Sequence, residues 1–242
     1  MAGKYALLIG INYRGSSAEL QGCINDVVHM KEYLMRCRGY NEDHIVVLTE
    51  DVPEQPTAEN IEAEIRKLVA HPAEELWLHY SGHGSYVIDS NGEEDDKKDE
   101  TIVPLDYQSG GLISDDYLHN LLNPVQDTTR LVCLFDCCHS GTILDLEFQY
   151  HGGDRNVVEN HHCDLQGNII MFSGCTDVQT SADALHANTW QGAMTRSFLD
   201  SQVPGITCEN LLLSMRSFLK SHGYTQYPQL TSTHPVEDEH LF

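Results

Sequence analysis

The chain has 242 residues, of which 40% are hydrophobic, so it is long enough for one sizeable globular domain and too apolar for global disorder. Its 37 Asp and Glu outnumber 14 Lys and Arg, and the net charge of −23 argues against nucleic acids and anionic membranes as partners and favours cations and basic substrates. We find no signal peptide pattern and no membrane-spanning stretch, and eight cysteines in such a chain indicate reduced thiols, so we expect a cytoplasmic protein.

Hydrophobic periodicity in the first 135 residues predicts strands that alternate with helices. Apolar runs bounded by polar residues are typical of strands buried on both faces of a parallel sheet. Helical spacing recurs between these runs, and Thr57 has a side chain suited to capping a helix. The predicted strands cover residues 4–12, 44–49, 76–80 and 131–135, and the predicted helices cover residues 25–37 and 57–68.

A long acidic excursion separates the third and fourth predicted strands. It contains the charge run 93–100, an extended piece at residues 102–105 and a helix-like segment at 114–122. Residues 147–168 lack apolar periodicity and predict a loop, followed by a strand at 169–172, helices at 192–199 and 207–220, and a last strand at 227–230. The alternation predicts an α/β fold with about six mostly parallel strands and helices on both faces of the sheet.

Two of the predicted strands end in residues whose side chains are able to take part in catalysis. The strand at 131–135 runs into DCCHSG at residues 136–141, and the strand at 76–80 runs into SGHG at residues 81–84. The carboxyl ends of neighbouring parallel strands form the usual ligand-binding edge of such a sheet. A cysteine nucleophile needs a nearby base to become a thiolate, and His83 is suited to that role. The spacing therefore predicts a Cys/His pair, although the residues alone leave open which cysteine reacts, and an isolated cysteine is more often a buried filler.

HYSGHG at residues 79–84 together with DCCHSG at 136–141 resembles the catalytic pair of motifs of metacaspases, which are caspase-like cysteine peptidases. The resemblance extends to LQGCIND at 20–26, GAMTRSFL at 192–199 and YPQLTS at 227–232, and so covers nearly the whole chain. It implies a caspase-like three-layer sandwich in a single domain over residues 1–242. Within it, residues 1–146 are large-subunit-like, 147–167 form a mobile linker loop and 168–242 are small-subunit-like. We expect no prodomain of the kind that the commonest metacaspases carry.

The resemblance also implies the catalytic roles. The family's nucleophile directly precedes His-Ser-Gly, which is Cys138 here, and His83 is its proton partner. We expect the N–H groups of Gly84 and Cys138 to form the oxyanion hole. Cys137 departs from the small residue that many members have at this position, and we interpret its thiol either as packing or as a second oxidisable group.

Substrate preference follows from acids near the two motifs. Asp136 precedes Cys138 by two residues, and a carboxylate there favours a basic side chain over an acidic one. By resemblance, Asp26 and Ser81 line the same pocket, and no arginine near either motif would read an aspartate. Asp26 also fits simple charge compensation at a helix N-terminus. We expect protein or peptide substrates that are cleaved after Arg or Lys.

The acidic excursion offers hard oxygen donors of the kind that Ca²⁺ prefers, although a charge run is usually just a solvated face. No EF-hand pattern is present, so the residues alone carry a weak signal. The resemblance implies a calcium site, because calcium-dependent metacaspases hold the ion through four acids at matching positions. These are Asp99, Asp115, Asp116 and Asp145.

Self-processing, oligomeric state and two alternative functions follow from the same residues and the same resemblance. Arg155 is the only basic residue other than histidine in the linker, so an enzyme that cuts after Arg would process itself there. The resemblance favours a monomer. Two alternatives stay open: a related cysteine peptidase with Asp or Asn preference, and a non-catalytic or chaperone-like calcium-binding protein on the same scaffold.

Overall fold

The computed structural model describes residues 3–88, 98–137, 143–150, 157–159, 163–174, 183–186, 189–236 and 238–241. Its strands are β1 (Gly3–Gly10), β2 (Ile45–Thr49), β3 (Ala73–Ser81), β4 (Gly84–Ile88), β5 (Lys98–Ile102), β6 (Ile113–Ser114), β7 (Arg130–Asp136), β8 (Phe148–Tyr150), β9 (Val157–Glu159), β10 (Asn168–Ser173), β11 (Asp183–His186), β12 (Thr189–Gly192) and β13 (Gln229–Ser232). Its helices are α1 (Cys23–Cys37), α2 (Ala58–Val69), α3 (Tyr107–Gly110), α4 (Asp115–Leu122), α5 (Ala193–Asp200) and α6 (Cys208–Ser221), with a 3₁₀ turn at Glu42–His44.

The main sheet has the strand order β2-β1-β3-β7-β10-β13-β8-β9. Its first five strands are parallel, and β13, β8 and β9 join them in antiparallel pairs. The β4-β5-β6 sheet and the β11-β12 ribbon are separate and antiparallel. The β3/β7 register places Ser81 opposite Asp136, so the two motif-bearing strands end side by side.

Two hydrophobic clusters lie on opposite faces of the main sheet, because successive side chains of a strand point to opposite faces. In β1, Leu7 and Ile9 belong to one cluster, whereas Ala6 and Leu8 belong to the other. Helices α2 and α4 contribute to the first cluster, and α1, α5 and α6 contribute to the second. This three-layer α/β arrangement confirms the predicted fold class.

The structure corrects the sequence prediction in two regions. The extended piece predicted at residues 102–105 overlaps a strand only at Ile102, because β5 begins earlier, at Lys98, and pairs with β4 over Lys98–Ile102. The predicted loop at residues 147–168 contributes β8 and β9 to the main sheet, which therefore has eight strands instead of about six. No helix in the described ranges has the length and apolarity needed to cross a bilayer.

A buried ion pair lies at the start of β3, at the end of the sheet opposite the motifs. Arg38 Nη2 lies 3.1 and 3.0 Å from the two carboxylate oxygens of Glu75, and Tyr40 Oη donates to Glu75 Oε1 at 3.1 Å. Both charged side chains are largely buried, at 12% and 8% exposed. Each charge therefore depends on the other for the interactions it has lost with water.

We expect Arg38→Ala to lower the free energy of unfolding by about 3 kcal/mol, because it leaves the Glu75 carboxylate buried with fewer partners. Urea unfolding followed by circular dichroism measures this change. Arg36→Ala is the control, since Arg36 and Glu32 form an exposed pair on α1. The urea midpoint of this variant should stay near that of the wild type. Equal midpoints for the two variants would contradict the structural role of the buried pair.

Candidate active site

His83 lies in the turn between β3 and β4, directly beyond the carboxyl end of β3. Its Nε2 is 2.7 Å from the carbonyl oxygen of Ala18, in the loop that follows β1. A carbonyl oxygen only accepts hydrogen bonds, so Nε2 carries the proton in the neutral ring. The neutral imidazole therefore keeps its lone pair on Nδ1, and that nitrogen is the one able to take a proton from a thiol.

The end of β7 carries the cysteine motif. Gly82 N–H donates to the carbonyl of Asp136 at 3.3 Å, which extends the contact between the two strand ends by one residue. Cys137 has no exposed surface and belongs to the first hydrophobic cluster, so its thiol packs in the interior. Cys138, the predicted nucleophile, lies outside the described residues. In the chain it follows Asp136 by two positions, just as His83 follows Ser81.

The three residues predicted to line the substrate pocket come together in one buried cluster. Asp26, Ser81 and Asp136 are each at most 3% exposed, although they come from α1, β3 and β7. Ser81 Oγ donates to Asp26 Oδ2 at 2.7 Å. Burial of carboxylates is costly unless they accept hydrogen bonds or pair with cations. The Asp26 carboxylate meets this requirement in part through the Ser81 hydroxyl.

The N-terminus of α5 supplies further donors to this pocket. Gly192 N–H points at the Asp26 carboxylate, with both oxygens at 3.0 Å, and Thr195 N–H donates to Asp136 Oδ2 at 2.7 Å. The two carboxylates thus take the place of a side-chain cap, which α5 lacks at its own N-cap residue Gly192. A Cβ on Gly192 would stand within 2.6 Å of an oxygen of each carboxylate, so only glycine fits between them. The Asp26 carboxylate thus lies at the N-terminus of α5, whereas the charge compensation considered above concerned its own helix, α1, in whose first turn it lies.

Three of the four predicted calcium ligands converge. Asp115, Asp116 and Asp145 each offer a carboxylate oxygen, and these oxygens lie within 4.8 Å of one another. Asp145 has a left-handed backbone with φ of 47°, a conformation that aspartate adopts more readily than most residues. Oxygens that share a Ca²⁺ ion at about 2.3–2.6 Å cannot be more than about 5 Å apart, so the observed spacing fits that ion.

Asp115 is the buried member of this cluster, and its oxygens already accept hydrogen bonds. Glu100 N–H donates to Oδ2 at 2.5 Å and Asp116 N–H donates to Oδ1 at 2.7 Å. Burial and, to a lesser extent, the charges of Asp116 and Asp99 raise the pKa of Asp115 to about 6, although the two backbone hydrogen bonds act to lower it. Asp99, on β5, is thus close enough to act electrostatically on Asp115, although it is not among the three converging carboxylates.

The remaining predicted residues are placed as follows. Gly84 begins β4 and pairs with Ile102, and its role in an oxyanion hole stays a prediction. Arg155 and the acidic residues 93–96 lie outside the described residues. The carbonyl of Ala18 is a contact that sequence reasoning missed, because any residue supplies a carbonyl and no side-chain pattern marks it.

Comparison with known proteins agrees with this geometry. The family model "Metacaspase, peptidase C14 domain" matches residues 4–147. Metacaspase-1 of Mycosarcoma maydis is 38% identical over an alignment that covers the whole chain and 73% of that protein. The curated relatives compared are covered over 62% to 73% of their own lengths.

Solved structures show the same fold. A crystal structure of a Geobacter sulfurreducens protein matches with a TM-score of 0.69 and 22% identity, covering 96% of this chain and 94% of that one. Caspase-1 from Spodoptera frugiperda matches with a TM-score of 0.64 and 10% identity, covering 96% and 87%. At these identities the likeness establishes a caspase-like fold alone.

The sequence matches establish more than the fold. The chain belongs to the metacaspase family, whose members are cysteine-type peptidases.

Proposed function

We propose that this protein is a calcium-activated cysteine endopeptidase that cleaves after Arg or Lys, with Cys138 as nucleophile and His83 as its base. The observation that carries the proposal is the buried pocket of Asp26, Ser81 and Asp136 at the carboxyl ends of β3 and β7. Ser81 precedes His83 by two residues, and Asp136 precedes Cys138 by two residues. Two of the residues proposed to bind the substrate side chain are therefore close in the chain to the proposed catalytic pair.

In the proposed reaction, His83 Nδ1 accepts the proton of the Cys138 thiol, and the thiolate attacks the scissile carbonyl carbon. The hydrogen bond from Nε2 to the Ala18 carbonyl supports the imidazolium that forms, because that nitrogen remains a donor in the charged ring. His83 then returns the proton to the leaving amine, and water releases the acyl group from sulfur. The N–H groups of Gly84 and Cys138 are the proposed donors to the oxyanion.

The pocket favours Arg and Lys side chains because two desolvated carboxylates attract a cation and repel an acid. A guanidinium with its planar fork of donors suits the oxygens of Asp26 and Asp136 well. Their hydrogen bonds from Ser81 and α5 hold both carboxylates in place before the substrate arrives. An acidic substrate side chain would meet uncompensated repulsion there, which weighs against Asp preference.

The spacing of the acidic cluster supports the calcium part of the proposal. Asp115, Asp116 and Asp145 would hold the ion, with Asp99 adding negative charge nearby. A bound Ca²⁺ would neutralise this charge and tie α4 to the segment that begins seven residues after Cys138. Asp115 also accepts the Glu100 N–H of β5, and β5 pairs with β4, which directly follows His83. An ordered cluster would thus fix strands on the His83 side of the site as well.

We expect Asp116→Asn to raise the calcium concentration for half-maximal peptidase activity at least tenfold, because it removes one anionic ligand of the ion. The same variant should lose most of the rise in melting temperature that calcium gives the wild type. Titration of activity and thermal unfolding with CaCl₂ and with MgCl₂ measures both effects. Asp127→Asn, at an exposed position, is the control. An Asp116→Asn curve that overlays that of the wild type would remove this cluster from the proposal.

Three accompanying proposals concern the state of the molecule. The β13 edge is covered by β8 and β9, which supports a monomer because β13 is not free to pair with a second copy. None of the six cysteines in the described ranges forms a disulfide, which supports a reducing, cytoplasmic location. Self-processing after Arg155 rests on the substrate preference and the position of that residue in the chain.

Hydrolysis of fluorogenic peptides that end in Arg, Lys, Asp or Asn tests the function. We expect Arg and Lys cleavage by the wild type in calcium, none in chelator and none by Cys138→Ala. Asp or Asn cleavage would replace the proposed pocket with the related peptidase activity. Absence of hydrolysis under every condition would favour a calcium-binding protein without catalysis. Gel analysis of the same samples shows whether the chain is cut near Arg155.

A further inference from the structure

Two buried tyrosine hydroxyls bind the backbone of His83 from both sides. His83 N–H donates to Tyr13 Oη at 3.0 Å, and Tyr80 Oη donates to the His83 carbonyl at 2.8 Å. Tyr13 Oη in turn donates to the carbonyl of Val103 at 2.6 Å, and Tyr80 Oη accepts Val103 N–H at 3.2 Å. Each hydroxyl has one proton and two lone pairs, and this assignment gives each a donor and an acceptor role.

The two hydroxyls form one unit beneath the turn that carries His83. Their oxygens are 3.1 Å apart, and the residues are 2% and 0% exposed. A Cβ on Gly82 would stand 2.6 Å from Tyr80 Oη and 3.0 Å from Tyr13 Oη, so glycine leaves the room that the hydroxyls need. Buried hydroxyls are retained at low cost only when they are hydrogen-bonded, and here their partners are the peptide groups on either side of the imidazole.

The backbone conformation of Tyr13 indicates that a tyrosine side chain is needed at this position. Its φ of 52° lies in the left-handed region, where a bulky residue is strained and glycine or asparagine is cheaper. Its ring also packs against the His83 imidazole, with centroids 4.7 Å apart and planes inclined by 39°. The loop that begins at Tyr13 supplies the Ala18 carbonyl to His83 Nε2, and Leu20 N–H closes this loop onto the Asn12 carbonyl at 2.8 Å.

We propose that Tyr13 is a positioning residue for His83, with Tyr80 in a lesser role, and that the hydroxyl of Tyr13 keeps the imidazole aligned with the cysteine. The inference rests on the proposed function. One loop fixes His83 at three points: Tyr13 Oη holds its N–H, the Tyr13 ring lies against the imidazole and the Ala18 carbonyl holds Nε2. These contacts fix the orientation of the imidazole and therefore the direction in which Nδ1 points. Small displacements of a catalytic group are costly in rate.

The hydrogen bonds indicate that Tyr13 contributes more than Tyr80 to the position of His83. Tyr13→Phe removes the acceptor of His83 N–H but keeps the ring. Tyr80→Phe removes one donor to the His83 carbonyl, which still accepts Val103 N–H at 3.2 Å. Tyr40→Phe is the matched control, because Tyr40 is equally buried and its hydroxyl bonds Glu75 at the opposite end of β3.

The test measures kcat and KM for an arginyl peptide and the hydrogen exchange of the His83 amide in the three variants and the wild type. We expect Tyr13→Phe to lower kcat about tenfold at unchanged KM, Tyr80→Phe to lower it less and Tyr40→Phe to leave it unchanged. Exchange of the His83 amide should be faster in Tyr13→Phe alone. The pH dependence of Cys138 alkylation by iodoacetamide should move toward that of an ordinary thiol in Tyr13→Phe, which a purely structural role would not cause.

The outcomes separate this inference from the function on which it rests. An active wild type whose Tyr13→Phe variant matches Tyr40→Phe in kcat and in alkylation would overturn the positioning role and leave the peptidase intact. A wild type that hydrolyses no peptide would overturn the function and, with it, any catalytic role for Tyr13. Equal losses of stability in Tyr13→Phe and Tyr40→Phe with a lower kcat in the former alone would support the inference.

Discussion

Replacement of His83 by alanine is expected to lower kcat/KM for an arginyl peptide by about three orders of magnitude. The reason is that the thiol of Cys138 loses both the base that activates it and the acid that protonates the leaving amine. The residual activity should rise with pH, since hydroxide takes over part of the deprotonation of an ordinary thiol. Initial rates between pH 6 and 9 measure this change.

His71→Ala is the control for that experiment, because His71 is exposed and lies just before the amino end of β3, opposite to the end that carries His83. It should retain the rate and the pH profile of the wild type. A His83→Ala enzyme that keeps more than a tenth of the wild-type rate would assign the base to another residue.

Neutralising the acidic pocket is the second large effect that we expect. Asp136→Asn should lower kcat/KM for arginyl peptides by about 2–4 kcal/mol, or about 30- to 1000-fold, because a buried cationic side chain would lose one of its two carboxylate partners. The asparagine can still accept the Thr195 N–H through its amide oxygen, so the cap of α5 is largely kept. Asp26→Asn should give a loss of similar size.

Alkylation of Cys138 by a small neutral reagent separates recognition from chemistry in these variants. The Asp136→Asn rate should stay near that of the wild type, because the proposed pocket would bind the substrate side chain and take no part in forming the thiolate. A parallel loss of alkylation and hydrolysis would instead place Asp136 in the catalytic machinery. Unchanged hydrolysis of arginyl peptides would contradict the pocket altogether.

Much of the fold was predictable because its strands are buried on both faces. The apolar runs that became β1, β3 and β7 were recognisable without structural information, and their parallel pairing brings Ser81 beside Asp136. The same runs located the two motifs at one edge of the sheet. The cap at Thr57 was also readable, since its side chain accepts a hydrogen bond from the backbone N–H of Asn60, three residues later.

Other features depended on tertiary contacts that local patterns do not encode. The strand β5 includes Asp99 and Glu100, which have low strand propensity, and it forms because β4 and the Asp115 carboxylate bind its backbone. Strands β8 and β9 have only three residues each, too few for a periodic signal. Tyr13 gave no signal either, because its role depends on a left-handed backbone and on a partner 70 residues away.

Covalent labelling tests the central claim most directly. A peptidyl arginyl chloromethyl ketone alkylates an active-site thiolate with loss of chloride, and mass spectrometry of the digested protein locates the adduct. The account predicts a single adduct on Cys138 in calcium, absence of labelling by the matching aspartyl reagent, and strong suppression in chelator and in His83→Ala. An adduct on Cys137 or another cysteine, or equal labelling by the aspartyl reagent, would contradict it.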